Sequence, residues 1–160
     1  MKMMKRTIML TLGILFVLST VCFADYLPDS EFALGGISVK DNVTIDYVRS
    51  IYGEPQLISK NDSSAEYSYG NTVKIKVHTF GRKNVFFIET TANNGFSTPS
   101  GLSVGMTADD MMDMYGSPRS ERETKDGGTR YIYGDKYRSG GNGIFIETNE
   151  QGIIIMIQVH

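Results

Sequence analysis

Two stretches of the chain repeat the same three-and-four spacing of apolar positions. Val48, Ile51 and Tyr52 form one set, and Met111, Met114 and Tyr115 form the other. That spacing sets one stripe of a helix against a core. Each stripe follows a helix-start signal. Thr107 is placed as an N-cap whose hydroxyl accepts from the Asp110 amide, while Asp110 reaches back to the cap amide. Met106 and Met111 bracket that cap as a hydrophobic staple, and Val43 and Val48 bracket Thr44 in the same way. Gly53 and Gly116 follow the last turns, and Pro55 and Pro118 prevent continuation. Helices of two to three turns are marginal alone, so packing must hold them.

After each helix the period changes from 3.6 to 2. Gln56 to Lys60, the turn Asn61-Asp62-Ser63 and Ala65 to Tyr69 read as a hairpin. Arg119 to Thr124, the turn Lys125 to Gly128 and Thr129 to Tyr133 read as another, with Asp-Gly suited to a tight turn. Val73, Ile75 and Val77 alternate with Lys74, Lys76 and His78, the mark of a half-buried strand. Strands are also expected over Val85 to Thr90, Gly143 to Thr148 and Ile153 to Val159. The last of these is apolar at consecutive positions, Ile153 to Ile157. Either both its faces are covered or an apolar surface awaits a partner. Thr91 to Ser100 is rich in Gly, Ser, Asn and Pro and reads as a linker. Asp25 to Gly36 fits either one helical turn or an extended lead-in.

These elements recur in order. Thr44 to Pro55 aligns with Thr107 to Pro118 at an offset of 63, with Thr, Asp, Tyr, Gly and Pro identical. Gly36-Ile-Ser-Val39 matches Gly101-Leu-Ser-Val104 at an offset of 65, and Tyr67-Ser-Tyr-Gly70 matches Tyr131-Ile-Tyr-Gly134 at an offset of 64. The pattern implies an α+β fold made by tandem duplication. Each unit of about 65 residues is a short helix, or helical hairpin, on a roughly four-stranded antiparallel sheet. The expected divisions are a signal peptide over residues 1–24, a first repeat with its lead-in over 25–97, and a second repeat over 98–160.

The signal changes the composition. Lys2, Lys5 and Arg6 precede an apolar run from Ile8 to Leu18, and Cys22-Phe23-Ala24 offers cleavage before Asp25. The apolar run is shorter than the roughly 20 residues a membrane span needs, so no span is expected after cleavage. Val21 before Cys22 lacks the small residue that lipid attachment at Cys22 normally requires. The protein is therefore expected to be exported, to the periplasm or the medium. Removing residues 1–24 leaves 136 residues, no cysteine, and 13 Lys and Arg against 18 Asp and Glu. That excludes a disulfide scaffold, a cysteine nucleophile and a Cys/His zinc site. An acidic chain is also a poor nucleic-acid binder, so no nucleic-acid partner is expected.

The segment Gly105-Met-Thr-Ala-Asp-Asp-Met-Met-Asp-Met-Tyr-Gly-Ser-Pro118 resembles the Gly-Met-Thr…Leu-Gly-x-Pro pattern of the small outer-membrane lipoprotein SmpA/OmlA family. The chain is also similar to the tandem-repeat β-lactamase inhibitor proteins, whose units pair a helical hairpin with an antiparallel sheet. The motif covers 14 residues, and the first unit has Asn42-Val43 in place of Gly-Met. The resemblance implies a non-enzymatic envelope or secreted protein that binds other proteins. It does not imply β-lactamase inhibition, because fold does not fix function. The missing lipid-attachment pattern departs from the lipoprotein branch.

Few side chains suggest chemistry. Asp109, Asp110 and Asp113 read better as helix-dipole partners and a solvent-facing acid than as a cation site. Ser139 to Gly143 lies between strands and not before a helix, so it reads as a connection, not a phosphate loop. His78 and His160 have no neighbouring nucleophile in sequence. No metal and no cofactor are expected. Tyr67, Tyr69, Tyr131 and Tyr133 occupy equivalent strands, each pair on one face. If that face meets the helices they are core. If it is open they form an aromatic binding patch together with Lys74 and Lys76. Met112 lies off its helix stripe as a possible surface contact. The expected function is protein binding in the envelope or outside the cell, partner unspecified. An envelope-assembly accessory and a small carboxylate-dependent hydrolase are the alternatives.

Overall fold

The computed structural model describes residues 26–135 and 143–160. The expected signal, and residues 139–142 of the glycine-rich connection, lie outside them. The fold is mixed α+β, mostly sheet, with two helices. The chain begins with β1 (Tyr26–Leu27), a 3-10 turn over Asp29–Glu31, β2 (Ala33–Leu34) and β3 (Ile37–Ser38). Next come α1 (Ile45–Tyr52), β4 (Gln56–Lys60), β5 (Ser64–Tyr69), β6 (Val73–His78) and β7 (Val85–Thr90). The same order returns as α2 (Ala108–Tyr115), β8 (Ser120–Glu123), β9 (Thr129–Asp135), β10 (Gly143–Thr148) and β11 (Ile154–Val159).

One large sheet joins everything except β2 and β3. Its order is β8-β9-β10-β11-β7-β6-β5-β4, with β1 parallel to β9 beyond the end of β8. The last strand of each half therefore meets the other at the centre. There Ile88 faces Val159, Glu89 faces Gln158, and Thr90 faces Ile157. Both helices lie on one side, and a single apolar cluster runs beneath them from Val48 and Ile75 to Met111 and Ile146.

The helix ends form as the sequence dictates. Thr107 Oγ1 accepts from the Asp110 amide at 3.1 Å, and Asp110 Oδ2 accepts from the Thr107 amide at 2.9 Å. Thr44 accepts from the Tyr47 amide at 3.4 Å, and Tyr47 has no carboxylate to return the bond. Thr107→Ala should therefore cost about 1 kcal/mol and Thr44→Ala less, read as urea midpoints. Gly53 and Gly116 close the helices at φ +79° and +73°, donating to Arg49 and Met112 carbonyls. The buried stripe is narrower than the spacing predicts. Val48 and the Met111–Tyr115 pair are buried, Tyr52 is only partly covered, and Ile51 and Met114 are exposed. A two-turn helix on a sheet covers one i, i+4 row and leaves its flank to solvent. Met112 is half-buried against the core.

Two segments are more ordered than their composition suggests. The lead-in makes the 3-10 turn and a small hairpin, with Gly35 and Gly36 at φ +57° and +73°. A Cβ on Gly35 would stand 2.7 Å from the Phe96 ring. Phe32, Leu34 and Ile37 are fully buried, so the lead-in is part of the core. The stretch 91–104 has no helix or strand, yet Phe96, Thr98 and Leu102 are buried. The apolar run in β11 is resolved by a bulge opposite Glu147 and Thr148. Ile154, Ile157 and Val159 face the helices, Met156 faces the other way, and Ile155 is left exposed.

Candidate functional site

All four candidate tyrosines point to the helix side of the sheet. Tyr131 and Tyr133 are buried, and Tyr67 and Tyr69 are half-buried against the core. Two of their hydroxyls tie strands to helix ends. Tyr69 donates to the Gly53 carbonyl at 2.9 Å, and Tyr133 donates to the Gly116 carbonyl at 2.8 Å. Burial pushes the Tyr133 phenol well above its ordinary pKa, so it remains a neutral donor. The Tyr52–Tyr69 and Tyr115–Tyr133 rings meet edge to face at 6.0 and 5.4 Å. These tyrosines build the helix–sheet contact, and none lies on the open face.

Lys74 and Lys76 lie on the opposite, outer face, so the six candidates are not brought together. Lys74 Nζ pairs with Glu89 at 3.0 Å, and the hydrogen bond it donates to that carboxylate raises its pKa. Lys76 Nζ pairs with Glu66 at 3.2 Å and sits 4.9 Å from the Phe87 ring centre. The second half carries the same cross-strand pair with the signs exchanged, Arg130 Nε donating to Glu147 at 2.6 Å. Glu89 is nearly buried at the central seam, where Gln158 also donates to it at 2.5 Å. His160 stacks on Phe145 at 4.5 Å and lies 5.9 Å from Phe87, and burial lowers its pKa. Met156 is buried on this face, outside the main cluster. The outer face is thus a mosaic of neutralised pairs and aromatic rings, not a positive patch.

A cleft of about 470 Å³ lies beside the β8–β9 turn. Glu123 faces Thr129 and Glu147 faces Arg130, so these two carboxylates leave opposite faces of the sheet. Glu147 is already paired, and the register offers no shared proton site for the two acids. Among the described residues, no group of three His, Cys, Asp or Glu side chains is placed to hold a metal ion. Asp110 is occupied by the cap of α2, which depresses its pKa through the Thr107 amide and hydroxyl. No described helix is long and apolar enough to cross a membrane.

The apolar surface that sequence reasoning missed lies in the first half. Of nine large apolar side chains exposed among the described residues, six fall between Tyr47 and Phe80, which marks that half as the unfinished one. Tyr47 and Ile51 share one flank of α1. Leu57 and Ile58 lie on β4, where all five residues are exposed and one backbone edge has no partner strand among the described residues. The other end of the sheet is guarded. β8 reads Ser-Glu-Arg-Glu, and β1 covers the next stretch of the β9 edge. By strand register Leu57 stands against Glu121 of the second half, and Ile58 is the extra, bulged residue. The chain was compared with protein-family models, curated proteins and solved structures, and none matches.

Proposed function

We propose that the chain is an exported, non-enzymatic protein-binding module of the cell envelope or secreted fraction, and that its partner docks on the β4 edge. The β4 edge carries the reading. Exposed strand edges are normally blunted by charge, bulges or covering segments; this one has a bulge at Ile58 but presents Leu57 and Ile58 to solvent with Lys60 only at its end. An extended segment of another protein would add a strand there, taking main-chain hydrogen bonds from β4 and side-chain selectivity from Leu57 and Ile58.

The same reading includes the tandem duplication and the SmpA/OmlA and β-lactamase-inhibitor likeness. Repeated detail supports the duplication. The Val43 carbonyl accepts from Val85 at 2.7 Å, and the Met106 carbonyl accepts from Ile154 at 2.8 Å. The paired tyrosine bonds to Gly53 and Gly116 repeat as well. A duplicated scaffold with one guarded and one open edge has given a single end to recognition.

A pull-down from envelope extracts tests the proposal with three forms of the protein. Ile58→Lys should reduce partner recovery at least tenfold without lowering thermal stability, because Ile58 is half exposed. Lys74→Ala with Lys76→Ala should retain the partner. Loss of the partner in the lysine variant but not in Ile58→Lys would refute the β4 assignment.

A further inference from the structure

A second surface feature lies at the end of the sheet where β6 stops, β7 starts and β11 finishes. A cavity of about 280 Å³ opens there between Asn42, His78, Arg82, Asn84 and His160, with Lys40 at its rim. That volume has room for a small ion and a few waters, given about 30 Å³ for a water in the liquid. Every titratable side chain in its wall is basic, on a chain whose net charge is −2. No carboxylate side chain lines it. The backbone oxygen of His160 is turned to β10, where the Gly143 amide donates to it at 2.7 Å. Lys40 is held 4.4 Å over the Phe32 ring and has further contacts of its own, so the site does not depend on it.

The donors in this wall are positioned, not loose. Arg82 Nη1 donates to Asn42 Oδ1 at 3.2 Å, which anchors the guanidinium and leaves further N–H groups. The His78 ring stacks on Phe86 at 4.3 Å, and the His160 ring stacks on Phe145 at 4.5 Å. Stacking fixes the ring planes and so the directions of their nitrogens. Asn42 and Lys83 are the two described non-glycine residues with positive φ, at 56° and 54°. One lines the cavity and the other sits between two residues that do. Such conformations persist where the surrounding structure holds them, and they gather at binding sites.

We infer that this cavity binds a phosphate group, free or carried on a larger molecule, with Arg82 and His78 as its principal donors. Several donors converging from separate chain segments suit a tetrahedral oxyanion, and arginine gives it a charge-assisted, two-pronged contact. The inference is independent of the β4 docking edge.

The test is an NMR titration of the full chain, following the Arg82 Nε–H and histidine ring signals. The probes are inorganic phosphate and phenyl phosphate, with chloride at matched ionic strength as control. Phosphate should give saturable shifts that chloride does not. Arg82→Ala and Asn42→Asp should each weaken binding at least tenfold, and Arg122→Ala, which alters the lining of the cleft beside the β8–β9 turn, should leave it unchanged. Equal binding of phenyl phosphate assigns the site to a phosphate on a larger molecule, and binding of inorganic phosphate alone assigns it to the free ion. Shifts shared with chloride, or wild-type affinity in both pocket variants, would overturn the inference.

Discussion

Ile157→Ala should lower the stability of the whole chain by about 3–4 kcal/mol, in one cooperative transition. Ile157 is fully buried and faces Thr90 across the strand pair that joins the two halves. Truncating it removes the transfer energy of the side chain and opens a cavity beneath both helices. A domain of this size has a total stability of about 5–15 kcal/mol, so the loss is a large share. The neighbouring Ile155 is the control. The bulge leaves it exposed, and Ile155→Ala should shift stability by no more than about 0.5 kcal/mol. Urea unfolding followed by far-ultraviolet circular dichroism and by tyrosine fluorescence checks both. The two probes should coincide in wild type and variant. A transition that splits, with half the signal lost first, would show that the halves do not share a core.

Glu31→Ala is expected to cost about 2–3 kcal/mol, although Glu31 lies in a lead-in of little regular structure. Its carboxylate is buried and accepts from the Tyr115 hydroxyl at 2.7 Å and from the Ser100 hydroxyl at 2.8 Å. Since Tyr115 donates its proton to Glu31, the Thr98 hydroxyl, 2.6 Å away, donates to Tyr115. Thr98 in turn accepts from the Leu102 amide at 3.1 Å. The chain of bonds pins the lead-in to the segment between the halves and to α2. Removing the carboxylate strands the buried Tyr115 hydroxyl, while the Ser100 hydroxyl, on an exposed residue, can turn to water. Burial and the Glu31 charge both hold the Tyr115 phenol well above its ordinary range, so it donates at all working pH values. A double-mutant cycle with Tyr115→Phe should give a coupling of about 1 kcal/mol or more. Additive effects would mean that the two side chains act separately.

Local pattern and long-range pairing contribute differently to what the sequence reveals. The caps at Thr44 and Thr107, the closing glycines and the alternation in β6 depend on neighbours within a few residues, and they are legible. The face of the tyrosines is not. A period of two says that Tyr131 and Tyr133 share a face, but which face the helices cover is decided by packing far along the chain. Phe32, Leu34 and Ile37 were hidden for another reason. Their segment is too short and too broken by Gly35-Gly36 to show any period, yet it fills the core. The linker reading of Thr91 to Ser100 followed polar composition, which masked the buried Phe96 and Thr98. The open edge was hardest to see, because which strand ends a sheet depends on the order of all the others. Once the central seam places the two halves tail to tail, the first hairpin of each must lie outermost. The contrast of Leu57 with Glu121 then acquires a meaning.

Hydrogen exchange, read by mass spectrometry with and without the captured partner, tests the docking edge most directly. Binding by strand addition should protect backbone amides of Gln56 to Lys60, whose outward edge is otherwise free to exchange. Peptides spanning Val73 to His78 and Gly143 to Thr148 should exchange at unchanged rates. Protection confined to those outer-face strands, with β4 unaffected, would contradict it.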